Sequence, residues 1–159
     1  MSFKLFSGKK IIVTGHNGFK GSWLSAWLYL LGAKVFGIAL EPPSVPSHYV
    51  VAQLSEILQD FRLDIRENDA LKLLVEEVQP DFVFHLAAQP LVRLSYLEPV
   101  ETYQTNVLGT LNLLEALRPL KKKCIAILIT SDKCYDNVES VWGYRENDRL
   151  GGRDPYSAS

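Results

Sequence analysis

Three glycines at equal spacing, Gly15, Gly18 and Gly21, stand between a short apolar run and a helical pattern. Few arrangements restrict a chain more. The run Lys9 to Thr14 reads as a buried parallel strand. Phe19 to Leu31 reads as a helix, with Gly32 as its C-terminal cap. A strand, a G-x-x-G-x-x-G turn and a helix in that order form a dinucleotide-binding loop. Gly15 allows the sharp turn, Gly18 lets a pyrophosphate approach the backbone, and Gly21 permits close packing. Free N–H groups at the helix start then hold the phosphates. Within the helix, Trp23, Leu24, Trp27, Leu28 and Leu31 recur at helical spacing, and both tryptophans are expected in the core.

The rest of the chain repeats the alternation. Strands are predicted at Lys34–Leu40, Leu58–Leu63, Phe82–Leu86 and Ile125–Ile129. Helices are predicted at Asp69–Val78 and Pro99–Leu117, the latter with Val107, Leu111, Leu114 and Leu117 on one side. Pro42, Pro43 and Pro46 mark residues 41–55 as loop, and 131–155 also read as loop. Strand–helix alternation throughout implies an α/β, Rossmann-type doubly wound parallel sheet. Function is then sought at the carboxyl ends of the strands.

Composition narrows the class. Hydrophobic residues make up 47% and charged residues 22%, values of an ordinary globular domain. A net charge of −1 points away from nucleic acid. The basic run Lys121–Lys123 is expected as a solvated connection. No apolar stretch is long enough to span a membrane and no secretory pattern opens the chain, so a cytoplasmic protein is expected. Cys124 and Cys134 are expected as reduced, buried thiols. No metal site is expected, because His16, His48 and His85 lack ligand spacing.

At the second strand end, Glu41 either binds a ribose hydroxyl or is solvated. No Arg or Lys stands beside it to take a 2′-phosphate, which favours NAD over NADP. Asp64 either caps the next segment or accepts from an adenine amino group. Thr130-Ser131-Asp132-Lys133 places a hydroxyl, a carboxyl and an amine in a row after the fifth strand, and reads either as a plain turn or as acid–base machinery. Tyr156 could take an alcohol proton beside a nicotinamide, given a nearby cation to lower its pKa.

The ordered strings Gly15-x-x-Gly18-x-x-Gly21, His85-Leu86-Ala87-Ala88-Gln89, Thr105-Asn106, Thr130–Lys133 and Tyr156–Ser159 resemble the motifs of the extended short-chain dehydrogenase/reductases. Longer strings resemble the CDP-glucose 4,6-dehydratase branch. They are Gly15–Leu24, Leu40–Pro43, Ala87–Arg93, Ser131–Asn137 and Gly143–Asp148 with Gly151-Gly152. The resemblance implies NAD held by Gly15, His16, Asn17, Gly18, Phe19, Lys20 and Gly21. It also implies cofactor contacts from Asp64, Ile65, Leu86, Ala87, Ala88, Thr105, Thr130 and Tyr156. It assigns substrate contacts to Gln89, Arg93 and Asn106, and catalysis to Ser131, Asp132, Lys133 and Tyr156.

The implied reaction is dehydration of the nucleotide sugar CDP-glucose with internally recycled NAD, for deoxysugar and surface-polysaccharide synthesis. A 4-epimerase and a non-catalytic NAD-binding module are the alternatives. Two departures from the pattern stand out. Ala39 occupies the place where many relatives have a ribose-binding acid, and His16 is bulky for a position beside a pyrophosphate. Both suggest a cofactor that exchanges with solvent. The implied Y-x-x-x-K motif would have its lysine immediately after Ser159. The expectation is therefore that residues 1–159 are an incomplete NAD-binding domain lacking the sugar-nucleotide domain, inactive alone and homo-oligomeric at full length. The uncovered sheet edge is a candidate association site.

Overall fold

The computed structural model describes residues 3–159. Five parallel strands form one sheet: β1 (Lys10–Thr14), β2 (Lys34–Ala39), β3 (Gln59–Arg62), β4 (Phe82–His85) and β5 (Ile125–Leu128), in the order β3-β2-β1-β4-β5. The helices are α1 (Phe19–Leu30), α2 (His48–Val51), α3 (Asn68–Val78), α4 (Val92–Leu97), α5 (Pro99–Tyr103) and α6 (Gly109–Leu117). The doubly wound α/β expectation therefore holds. Strand order reverses between β1 and β4, so the loops leaving these two strands diverge and open a crevice, the usual ligand position in such sheets.

Alternate residues of the strands feed opposite faces. Ile12, Phe36, Ile38 and Val83 pack with Leu71, Leu74, Val75 and Val78 of α3 and Leu113 and Ala116 of α6. Ile11, Val13, Val35 and Phe82 pack with Leu28 of α1 and with Tyr49, Leu54 and Leu58.

Several details differ from the sequence reading. The loop 41–55 contains α2 and a 3-10 turn at Leu54–Glu56. Ser47 nucleates α2 by accepting from the Val50 N–H. Helix α4 has no counterpart in the sequence reading, and it starts two residues after Pro90, with Leu91 at its N-cap. The long helix is interrupted by a π turn at Gln104–Leu108. Of the four residues on one side, Val107, Leu111 and Leu114 face outward and Leu117 packs on the core, while Gly109, Leu113 and Ala116 face in. Gly109 is what allows this, because a Cβ there would press 2.6 Å from Ile65 Cδ1. Cys124 and Cys134 are free thiols but half-buried. Lys122 of the basic run is paired with Asp81 at 3.1 Å.

The tryptophans are the largest correction. Trp23 is 57% and Trp27 55% exposed, while Gly21, Ser22, Ser25 and Leu28 form the buried face of α1. Small residues let α1 lie close to the sheet, which turns the large ones outward. Trp23 stacks on His48 with ring centroids 3.9 Å apart. Trp27→Ala is accordingly expected to change stability by less than about 1 kcal/mol in a urea titration, a small value for a tryptophan.

Candidate functional site

The glycine loop is built by contact between its own ends. Gly15 adopts φ +70°, and a Cβ on it would stand 2.8 Å from the Ala87 N. A Cβ on Gly21 would overlap the Gly15 carbonyl oxygen. Gly21 thus packs against the loop backbone rather than only against the strand. Gly18 is different, since a Cβ there would meet only the Gly15 oxygen, at 3.3 Å. Its outer face is open, and the loop can receive a pyrophosphate there. Phe19 and Lys20 are exposed at the start of α1.

His16 does not crowd that face. Its ring is fully buried and lies over Gly37 of β2, where any Cβ would strike it. Nε2 lies 3.0 Å from Asp60 Oδ1, near enough for attraction but not aligned for a hydrogen bond. Burial lowers the His16 pKa, against the raising effect of Asp60. Tyr49 donates to Asp60, and burial with that bond pushes its phenol up to about 12. The expected steric conflict between His16 and a pyrophosphate is therefore relieved by rotation of the side chain into the core. Asn17 ties the loop to the end of β2 by donating from Nδ2 to the Leu40 carbonyl at 2.6 Å.

At that end the sequence reading needs a second correction. A cation does neighbour Glu41. Arg62 of β3 lies opposite Ala39 in the sheet register. Its Nη1 donates to the Leu40 carbonyl at 2.8 Å, its Nη2 to Asp60 at 2.7 Å, and its Nε lies 3.8 Å from Glu41.

Asp64 is held by Arg66, which donates from Nε, Nη2 and its backbone N–H. Those bonds hold the Asp64 carboxyl below its ordinary range. Arg66 also pairs with Glu101. An adenine amino group would share Asp64 with this arginine. Ile65 buries its side chain in the α3–α6 core.

Behind the crevice, Thr14 Oγ1 accepts from the N–H groups of Leu86 and Ala87, both at 3.1 Å. With its lone pairs used, its proton is directed to His85 Nδ1, 2.6 Å away. His85 Nε2 then donates to Thr110 Oγ1, which donates to the Asn106 carbonyl in the π turn. Asn106 accepts from the Gln89 N–H and donates from Nδ2 to the Gln89 carbonyl and to Ser159 Oγ. Gln89 itself bonds Thr102 and Leu91. Gln89 and Asn106 thus shape the loop after β4. Thr105 is half-buried and Ala88 exposed. Arg93 borders a shallow apolar depression with Pro90, Leu91 and Leu94. The structural roles of His85, Gln89 and Asn106 were not recognisable from sequence, because their partners are distant along the chain.

Thr130 leads into a 3-10 turn, Asp132–Cys134, capped by Ser131, whose Oγ accepts from the Lys133 N–H and donates to Asp132. Asp132 and Lys133 are exposed. The following loop returns through a Tyr135–Leu150 bridge and a Gly151 N–H to Cys134 carbonyl bond. The chain is thereby brought back to the turn at Leu150 and Gly151, and Ser159, beyond Tyr156, accepts from Asn106 Nδ2. Although burial opposes it, Ser157 hydrogen bonds and the nearby Lys133 charge hold the Asp154 carboxyl below its ordinary range. The structure therefore gathers the glycine loop, the β4 loop, the Ser131–Lys133 turn and the Tyr156 segment along the carboxyl edge of one sheet. Among the described residues no helix is long and apolar enough to cross a membrane.

Fold and site together define a Rossmann-like α/β domain of the extended short-chain dehydrogenase/reductase type. Residues 12–159 match the family described as GDP-mannose 4,6 dehydratase, and the chain belongs to that family. It is 53% identical over 97% of its length to CDP-glucose 4,6-dehydratase of Salmonella typhimurium, covering 43% of that protein. It is 31% identical to GDP-mannose 4,6-dehydratase of Yersinia enterocolitica over 95% of this chain and 42% of the other. Among solved structures, the UDP-glucose 4-epimerase of Thermus thermophilus in complex with NAD superposes with a TM-score of 0.81 at 28% identity. That match covers 94% of this chain and 46% of the other. The chain thus spans less than half the length of these relatives.

Proposed function

We propose that this chain supplies the NAD-binding part of a nucleotide-sugar 4,6-dehydratase acting on CDP-glucose. The supporting observation is the return of the chain to the Ser131–Cys134 turn at Leu150 and Gly151, with Ser159 of the Tyr156 segment bonded to Asn106 behind the β4 loop, at the same sheet edge as the open glycine loop. The 53% identity to a CDP-glucose 4,6-dehydratase supports the choice of substrate.

In this reading the backbone of Gly15–Gly21 holds the pyrophosphate, with Asp64, Ile65, Leu86, Ala87, Ala88, Thr105 and Thr130 lining the cofactor and Gln89, Arg93 and Asn106 the sugar side. Bound NAD supplies the hydride acceptor at C4 and the hydride donor at C6. Tyr156 takes the proton of the C4 hydroxyl, and Ser131 hydrogen-bonds the C4 oxygen. The resulting ketone acidifies the C5 proton, which Lys133 removes when substrate closure over it leaves its amine neutral. Asp132, in its protonated form, gives a proton to the departing C6 hydroxyl, so one water leaves across C5 and C6; hydride addition at C6 is then matched by return of a proton from Lys133 to C5. The product, a 4-keto-6-deoxy sugar, suits deoxysugar assembly for surface polysaccharide in the cytoplasm.

Likeness to a UDP-glucose 4-epimerase favours a second reading, in which hydride returns to C4 and no water is lost. One experiment separates them. A form carrying this chain and the downstream half found in its relatives is incubated with NAD and C4-deuterated CDP-glucose. The expected product has lost one water and carries deuterium at C6. Conversion to the C4 epimer, with deuterium retained at C4 and no mass loss, would establish the epimerase instead.

A further inference from the structure

Dinucleotide folds read the adenosine ribose at the end of the second strand, where an acid accepts from the 2′-hydroxyl or an arginine donates to a 2′-phosphate. Here Ala39 ends β2 and offers neither. The charges at that place come from elsewhere. Arg62 is delivered by the parallel register of β3 and fixed by the Leu40 carbonyl and Asp60. Its guanidinium also lies over the Tyr49 ring, 5.5 Å from the centroid. Its side chain remains 34% exposed, and of its nitrogens only Nε lacks a hydrogen bond among the described residues. Glu41 stands at its Nε, 3.8 Å away and 83% exposed.

We infer that Glu41 and Arg62 together set the discrimination between NAD and NADP, an inference that rests on the NAD-binding reading above. Arg62 is a preformed half of a 2′-phosphate site, held by contacts that do not involve Glu41. Glu41 cancels it. With Asp60 and Glu41 both ionised, the cluster carries one net negative charge and repels a phosphate that bears nearly two. A ribose 2′-hydroxyl meets no such repulsion and can donate to Glu41. Neutralising Glu41 leaves Asp60 and Arg62 balanced and frees the Nε side of the guanidinium for a phosphate. At several ångströms in a solvated site, removing one repelling carboxylate from a near-dianion corresponds to about tenfold in affinity.

The test is calorimetric titration of NAD and of NADP into the unmodified protein, Glu41→Gln, Glu41→Gln/Arg62→Gln and Glu41→Gln/Arg62→Lys. The unmodified protein is expected to bind NAD at least tenfold more tightly than NADP. Glu41→Gln should shrink that preference about tenfold, mainly by tightening NADP. The second change to Gln should remove the gain, and the change to Lys should retain part of it. A preference unmoved within twofold in Glu41→Gln, or a gain that survives Arg62→Gln, overturns the inference while leaving NAD binding standing. Failure of NAD to bind the unmodified protein overturns both readings.

Discussion

Gly21→Ala is expected to weaken NAD binding at least a hundredfold and to destabilise the fold by about 3 kcal/mol, because it forces apart two segments that are in direct contact. The added Cβ would overlap the Gly15 carbonyl oxygen and stand 2.8 and 2.9 Å from the Gly15 carbonyl carbon and the His16 Cα. All three are backbone atoms, so no side chain can rotate to make room. Either the first turn of α1 lifts from the loop, or the loop moves toward the Leu86–Ala87 backbone, which already lies against Gly15. Each route separates buried groups and costs a few kcal/mol, as overpacking does elsewhere. It also displaces the N–H groups that would face a pyrophosphate. Gly18→Ala provides the contrast. It meets only one oxygen at 3.3 Å, so its stability should change by less than about 1 kcal/mol. Its binding should still fall, because the methyl group occupies the open face. Urea denaturation and NAD titration of both variants check this. A Gly21→Ala protein that unfolds and binds like the unmodified one would refute the packing account.

The β1–loop–α1 unit was readable because its signals are local: an apolar run, three spaced glycines and a helical pattern follow one another without interruption. What failed was the choice of which helix face points inward. Spacing identifies an apolar stripe, but in α1 the sheet is approached by Gly21, Ser22 and Ser25, which leaves Trp23 and Trp27 outside. In α6 the same logic places Gly109 against Ile65 and turns Leu111 and Leu114 outward. Close approach by small residues outranked the burial of large ones. Arg62 was missed for a different reason. It reaches Leu40 across 22 positions of sequence, and only the pairing of Ala39 with Arg62 in adjacent strands brings it there. The partners of His85, Asn106 and Gln89 were equally hidden, since a hydrogen-bond chain linking β1, β4 and a π turn has no linear signature.

That chain leads to the second large effect, which is a dependence of stability on pH. Burial lowers the His85 pKa to about 4, against about 6.5 in an unfolded chain. Between these values the unfolded state binds a proton that the folded state refuses. Stability from this residue is therefore complete above about pH 6.5, falls as pH drops toward about 4, and falls no further below it. The loss across the window is about 3 kcal/mol. Hydrogen bonding reinforces the burial. A proton on Nδ1 would face the hydroxyl proton of Thr14, whose oxygen is already committed to the N–H groups of Leu86 and Ala87. Charging His85 thus sets donor against donor at the junction of β1 and β4, directly behind the glycine loop. His16, also lowered by burial, adds a smaller change of the same sign. The carboxyls of Asp64, Asp81 and Asp154, held below their ordinary range, give up their contribution only at lower pH. Urea midpoints measured from about pH 7.5 to about 4 should trace this loss, and His85→Gln should flatten most of the slope whatever its effect at the upper end of that range. A slope in His85→Gln equal to that of the unmodified protein would assign the pH dependence to other groups and remove His85 as the proton-sensitive point of the sheet.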